Sequence, residues 1–256
     1  MKTLKIPARY YRVYTDPNTP CNEKNFHFIE KTLPIPAEQA ALVLVDVWST
    51  HYIDSWLNRA TQITQQKIVP LLEAARNAGV TVIHAPSPRV VESHHPENMP
   101  PTQTPTNSPP QQWPPPDFRG LYRPNEFGRN KEPRLDEAHA RYITELKISD
   151  LSKPLPDEPI IATGEQLHQT LSERKILHVF YAGFATNWCV INRDYGLIST
   201  CQKGYNVILL RDATTGVEFH DSVDQLTATE IAIREIETKY AWSTTTDDFI
   251  VASKDT

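Results

Sequence analysis

Ala41-Leu-Val-Leu-Val45 is an unbroken apolar, β-branched run that stops at an aspartate, Asp46. A strand that can be apolar on both sides is buried on both faces, which antiparallel sheets open to water on one side do not require and parallel sheets do. The downstream segments fit the same layout. Residues 56–78 carry Leu57, Ile63, Ile68, Leu71 and Leu72 at helical spacing, and Gly79 supplies a helix stop. Val80-Thr-Val-Ile83 then reads as a second strand ending at His84. This is a β-α-β unit. After an interruption the alternation resumes: a helix over 135–146, a strand at Pro159–Ala162, a helix over 165–174 and a strand at Ile176–Tyr181. A turn and a helix come next, to about Lys203 and Gly204. Then come a strand at Tyr205–Leu210, a helix from a Ser222 cap to Tyr240, and a last short strand near Phe249–Val251. Strands alternating with helices predict a doubly wound, mostly parallel α/β sheet with helices on both faces, a three-layer Rossmann-like architecture.

Two segments stand outside this pattern. Residues 1–40 are polar and aromatic, with Pro7, Pro17, Pro20, Pro34 and Pro36, and read as an N-terminal arm wrapping a domain that spans 41–256. Residues 85–134 hold thirteen of the 22 prolines, counted along the chain, which removes ladder donors and blocks helix interiors. They read as a Pro-rich surface insertion. Its aromatics, Trp113, Phe118, Tyr122 and Phe127, suit a lid, a subunit contact or a plain loop.

Composition narrows the partners. A net charge of -5 without a basic run argues against a nucleic-acid backbone binder. No segment approaches the ~20 apolar residues that span a bilayer, and the first residues lack the apolar core of a secretory signal, so a cytoplasmic protein is expected. Three cysteines, Cys21, Cys189 and Cys201, make neither a disulfide framework nor a CxxC pattern. His51, His84, His94 and His95 match no compact ligand spacing, so neither metal nor cofactor is expected.

In a doubly wound sheet, ligands bind beyond the carboxyl ends of the strands. Asp46, His84, the Gly183–Cys189 turn and Asp212 lie there. Cys189 follows a strand and opens a helix. Unpaired N–H groups at such a start favour a thiolate and hold an oxyanion, so nucleophile and oxyanion hole come from one turn. Asp46 at the end of an apolar strand is either a base with a raised pKa or a carboxylate bound to loop N–H groups. Asp212 reads as structural, and His84 as lining the pocket or sitting in the core. Trp48, His51, Tyr52, Trp113 and Trp188 suit a partly apolar or planar substrate; aromatics also fill cores.

Leu42-Val-Leu-Val-Asp46-Val, Gly183-Phe-Ala-Thr186-Asn-Trp-Cys189-Val190, the helix to Gly204-Tyr205, and Arg211-Asp212-Ala213 together resemble the isochorismatase-like cysteine hydrolase superfamily over roughly 41–84 and 159–251. The resemblance implies a six-stranded parallel sheet, an Asp–Lys–Cys triad, a non-proline cis peptide before Thr186 at Phe184–Ala185, and a homodimer or homotetramer. Hydrolysis of a small amide or related C–N bond through a thioester is the implied activity. An isochorismatase-type ether hydrolase and a non-catalytic binding or scaffold protein are the alternatives. Two departures stand out. His84-Ala-Pro-Ser-Pro88 lacks the Asp-x-His pair of metal-binding nicotinamidases. The triad's lysine belongs at the end of the strand before the cysteine strand; with that strand at Pro159–Ala162 the slot falls at Thr163. Lys153 fills it only if the strand is instead Leu146–Asp150, and the proline pattern of 154–159 favours the former.

Overall fold

The computed structural model describes residues 2–100 and 134–254, together with Trp113, Pro115 and Phe118. Seven strands form one sheet: β1 (Thr3–Arg12), β2 (His27–Pro36), β3 (Ala40–Val45), β4 (Thr81–Ala85), β5 (His178–Phe184), β6 (Asn206–Thr215) and β7 (Trp242–Thr244). Their order is β2-β1-β7-β6-β5-β3-β4. The five strands from β3 to β7 run parallel, and β1 and β2 add an antiparallel hairpin beyond β7. A single parallel bridge from Ile160 to His84 lies outside β4.

The reason for two-faced burial is visible in β3. Leu42 and Leu44 pack into a layer with Trp56, Ala60, Leu71, Leu72 and Phe249, whereas Ala41, Val43 and Val45 pack with Leu167, Leu171, Leu197, Ile233 and Ile236. The first layer is covered by α1 (Asp54–Ile63), α2 (Val69–Ala78) and α8 (Thr246–Lys254); the second by α5 (Gly164–Glu173), α6 (Leu197–Gln202) and α7 (Thr227–Lys239). α3 (Pro88–His94) and α4 (Leu135–Thr144) are the remaining α-helices of the described residues. The period of two puts alternate side chains on opposite faces, and each face has its own helical cover.

Several expectations are corrected. The helix over 56–78 is two helices joined by a π-helical turn at Thr64–Ile68, though it does end at Gly79 in the left-handed conformation (φ 76°). Residues 3–12 and 27–36 are not a wrapping arm but part of the sheet. Leu4, Ile6 and Ala8 alternate into the core, a period that the prolines obscured; Pro34 and Pro36 sit on the outermost strand, where a missing N–H costs no ladder bond. Buried Glu237 of α7 clamps this hairpin. It accepts from Arg9 Nε (2.8 Å) and Ser243 Oγ (2.6 Å), while the Arg9 and Arg234 guanidinium groups lie 4.0 and 4.5 Å from the Phe28 ring centre. The strand expected at Phe249–Val251 is helical. Asp212 accepts from the Thr246 N–H (2.8 Å) and hydroxyl (2.7 Å), fixing the start of α8, and Phe249 and Ala252 face inward one turn apart while Val251 is exposed. The Pro-rich segment begins as helix rather than loop: Pro88 stands in the first turn of α3, where its missing N–H is not needed. Tyr122, Phe127 and most of the remaining insertion lie outside the described residues, and Trp113 and Phe118 are exposed.

Candidate active site

β3 and β5 are neighbours in register, with Val45 opposite Gly183, so the residues just past their ends meet. Gly183 makes that meeting possible. It has φ 110°, and a β-carbon there would overlap the Val45 carbonyl. Gly183→Ala is expected to push β5 off β3 and to lower the midpoint of thermal unfolding by at least several degrees, measured by circular dichroism; an unchanged melt would show that the strands part without cost.

Beyond Gly183 the Phe184–Ala185 peptide is cis, and Thr186–Val190 form a single π-helical turn. The Trp188 and Val190 N–H groups both donate to the Ala185 carbonyl (3.0 and 3.2 Å). Side chains pin the turn to the end of β6: the Thr186 and Thr214 hydroxyls lie 2.6 Å apart, and Asn187 exchanges two hydrogen bonds with the Val217 backbone (2.9 and 3.0 Å). Half-buried Cys189 projects from this turn, with Trp188 exposed beside it.

Asp46 is fully buried, with φ 47°, and its N–H donates to the Ala85 carbonyl at 3.2 Å. Burial raises its carboxyl to about 6, although Arg193, Cys189 and the Ser87 N–H pull the other way. None of the three closes a well-formed hydrogen bond: Arg193 Nη2, the nearest cation among the described residues, stands 3.6 Å from Asp46 Oδ2. Among the described residues, both carboxylate oxygens and Arg193 Nε lack a partner. The thiol departs from the expectation for a helix start. Burial first, and the Asp46 charge second, push Cys189 up to about 12, outweighing the pull of Arg193. A five-residue turn has too few aligned peptides to offset that desolvation, so the resting pair is a thiol beside a carboxylate that can take its proton.

Trp48, His51, Tyr52, Trp56 and Tyr142 form an aromatic wall at the same end of the sheet. His51 stacks on Tyr52 at 4.6 Å, and Trp56 meets Phe184 edge-on at 5.7 Å. Burial, aided by Arg141, lowers His51 to about 4, so its ring is neutral; its Nδ1 accepts from the Ile53 N–H (3.1 Å). Tyr52, Tyr142 and Arg141 also line a cavity of about 520 Å³.

His84 and Lys153 stand apart from the Asp46–Cys189 pair. His84 is buried, its Nε2 donating to Glu158 (2.8 Å), which Arg76 grips with two bonds (2.7 and 2.9 Å). Burial raises Glu158, but the His84 and Arg76 bonds outweigh it and hold it at about 2. This cluster ties the Pro159–Ile161 segment to β4 and α2. Leu146–Asp150 contributes only a bridge, Ile148 running antiparallel to Trp48, so Lys153 follows no parallel strand. It is exposed on an outer polar groove, with its carbonyl on Arg76. Lys153→Ala is expected to leave turnover within about twofold and stability within about 0.5 kcal/mol, checked by kinetics and thermal melts. Arg193 is a residue of the site that the sequence did not lead us to expect. Its signal was available: Cys189 and Arg193 are four apart at a helix start, which puts them on one face. Among the described residues no group of three or more His, Cys, Asp or Glu side chains could hold a metal ion, and no helix is long and apolar enough to cross a membrane.

The isochorismatase-domain family model matches residues 40–248. Among solved structures, a cysteine hydrolase from Pseudomonas syringae pv. phaseolicola 1448A is similar at 20% identity, with a TM-score of 0.59 over 87% of this chain and 95% of that one. An isochorismatase from Pseudomonas putida KT2440 is similar at 18% identity, with a TM-score of 0.50 over 84% and 92%. No curated protein matches by sequence.

Proposed function

Because the chain belongs to the isochorismatase family of hydrolases, we propose that it cleaves a small amide or related C–N bond through a thioester on Cys189. The observation that carries this reading is the juxtaposition of a half-buried thiol with a fully buried, raised-pKa carboxylate at the carboxyl ends of adjacent parallel strands. Cys189 Sγ bonds to the carbonyl carbon as its proton passes to Asp46, and the C=O electron pair moves onto oxygen. N–H groups of the Phe184–Ala185–Thr186 to Cys189 turn would hold that oxygen, apart from that of Trp188, which donates to the Ala185 carbonyl. The tetrahedral species collapses, the C–N bond breaks, and the leaving nitrogen takes the proton from Asp46. Water then adds to the thioester, giving a proton to Asp46; the C–S bond breaks and sulfur recovers that proton. The aromatic wall of Trp48, His51, Tyr52 and Tyr142, with Trp188 at the rim, favours planar or partly apolar acyl groups.

The test is a panel of small primary amides, N-carbamoyl compounds and vinyl ethers, read by ammonia or amine release and by mass spectrometry of Cys189. Turnover of an amide with an acyl-Cys189 intermediate supports the reading. Its pH profile has a fixed sign. Asp46 must be ionised to accept the proton, so kcat/KM should be high above about pH 6 and fall as pH drops through it. Turnover confined to vinyl ethers, with no acyl-enzyme, would move the assignment to ether hydrolysis.

A further inference from the structure

We propose that Arg193 is the catalytic cation of this site, supplied from the nucleophile's own turn of helix in place of a lysine on a neighbouring strand. The inference rests on the thiol-dependent hydrolysis above.

The charge balance demands a cation here. A fully buried carboxylate keeps its charge only beside one, and Arg193 is the cation that stands there, 3.6 Å from Asp46 Oδ2. The strand-end slot that a lysine would use is Thr163, whose hydroxyl accepts from the Gln166 N–H as the cap of α5. Lys153 faces the outer groove.

The backbone aims Arg193 at both reacting groups. Its N–H donates to the Cys189 carbonyl (3.2 Å), so the side chain rises from the same face as the thiol, four residues on. The next residues are fixed. The Tyr195 hydroxyl donates to the Pro86 carbonyl (2.9 Å), the Gly196 N–H to the Arg193 carbonyl (2.8 Å), and the Asp194 carboxylate accepts from the Gly164 N–H (2.7 Å). Arg193 Nε is buried without a partner among the described residues, as are both Asp46 oxygens. Unsatisfied buried donors and acceptors at one spot are the mark of a site waiting for a further polar group. A substrate carbonyl oxygen in that gap would accept from Arg193 Nε, and the Asp46 oxygens are left to accept the thiol proton.

The role follows from how charge moves. At rest the cluster holds one anion on Asp46, one cation on Arg193 and a neutral thiol. As Cys189 Sγ attacks, its proton neutralises Asp46 and the negative charge moves through sulfur to the substrate oxygen. A guanidinium beside both ends of that path stabilises the displaced charge, and its planar fork can keep one edge toward the carboxylate while another N–H, Nε, holds the oxygen. Arg193 itself neither gains nor loses a proton, because a guanidinium stays charged at every working pH. The other titratable groups facing the cluster are Tyr142 from α4, with Tyr52 beyond it, and Tyr195 and Asp194 after the turn; burial pushes Tyr142 and Tyr195 upward, which keeps both neutral.

The experiment needs no knowledge of the natural substrate. p-Nitrophenyl acetate is used to acylate Cys189 in the full-length wild type, Arg193→Ala and Arg193→Lys, reading nitrophenolate release and acetyl-Cys189 by mass spectrometry from pH 5 to 10. Circular dichroism verifies folding. Acylation should fall about 100-fold in Arg193→Ala, the usual cost of losing one preorganised charge-stabilising donor. Ethylguanidinium added to Arg193→Ala should restore part of the rate. Arg193→Lys should recover most of it near neutrality and lose it again on the alkaline side as the ammonium discharges, where the wild type holds a plateau. A folded Arg193→Ala that acylates at the wild-type rate, or that ignores ethylguanidinium, overturns the assignment to Arg193 while leaving Cys189 as nucleophile. Absence of acetyl-Cys189 in the wild type would instead overturn the thiol mechanism, and this inference with it.

Discussion

Replacing Cys189 with alanine is expected to lower kcat/KM by at least about ten thousand-fold, since no other nucleophile stands beside Asp46 among the described residues and losses of this size follow removal of an essential nucleophile. Stability should change by no more than about 1 kcal/mol, because the half-buried thiol makes no structural bond that alanine would leave unmet. Kinetics and thermal melts on the same preparation separate the two effects. A Cys189→Ala enzyme that keeps a tenth of its turnover would exclude the thioester route. The two remaining cysteines serve as controls: Cys21 is exposed and Cys201 lies on α6, on the far side of the Arg193–Gly196 segment in sequence.

Asp46→Asn should have two opposite effects. Turnover should drop by about a hundred- to ten thousand-fold, because asparagine keeps the shape but cannot take the thiol proton. Stability at neutral pH should rise. Asp46 is raised from 3.8 to about 6 by burial, so the folded state holds its proton more tightly than the unfolded chain does. The stability linked to this group is therefore present below about pH 4 and lost as pH rises through about 6. At pH 7.5 the ionised carboxylate costs up to about 3 kcal/mol, since each tenfold change in an acidity constant is worth roughly 1.4 kcal/mol. Asparagine mimics the uncharged form and escapes that cost. The melting temperature of Asp46→Asn should thus exceed that of the wild type at pH 7.5, and the gap should close below pH 4. A variant that melts lower than the wild type at pH 7.5 would mean that Asp46 is held for structure rather than for its proton.

The sequence by itself determined the parallel α/β core, because two-sided apolar runs such as Ala41–Val45 have no other stable home, and helices at 3.6-residue spacing must cover both faces. It also placed Asp46 and Cys189 at strand ends, and the Gly183–Val190 segment carried the family resemblance. Four things needed the tertiary structure. The hairpin of β1 and β2 was hidden because its alternation is interrupted by prolines, and its anchor, Glu237, comes from a helix more than two hundred residues away in the chain. The fate of His84 turned on Glu158 and Arg76, which no local pattern joins to it. The family resemblance puts a cation on the strand that precedes β5, whereas the cation beside Asp46, Arg193, comes from the segment after β5. Position along a strand reports which face a residue is on; which charge lies beside which is set by the sheet order, and only folding brings Arg193 to 3.6 Å from a carboxylate far earlier in the chain. The same packing reversed the thiol's pKa: a helix start favours the anion locally, but burial against Asp46 is a property of the assembled site and it wins.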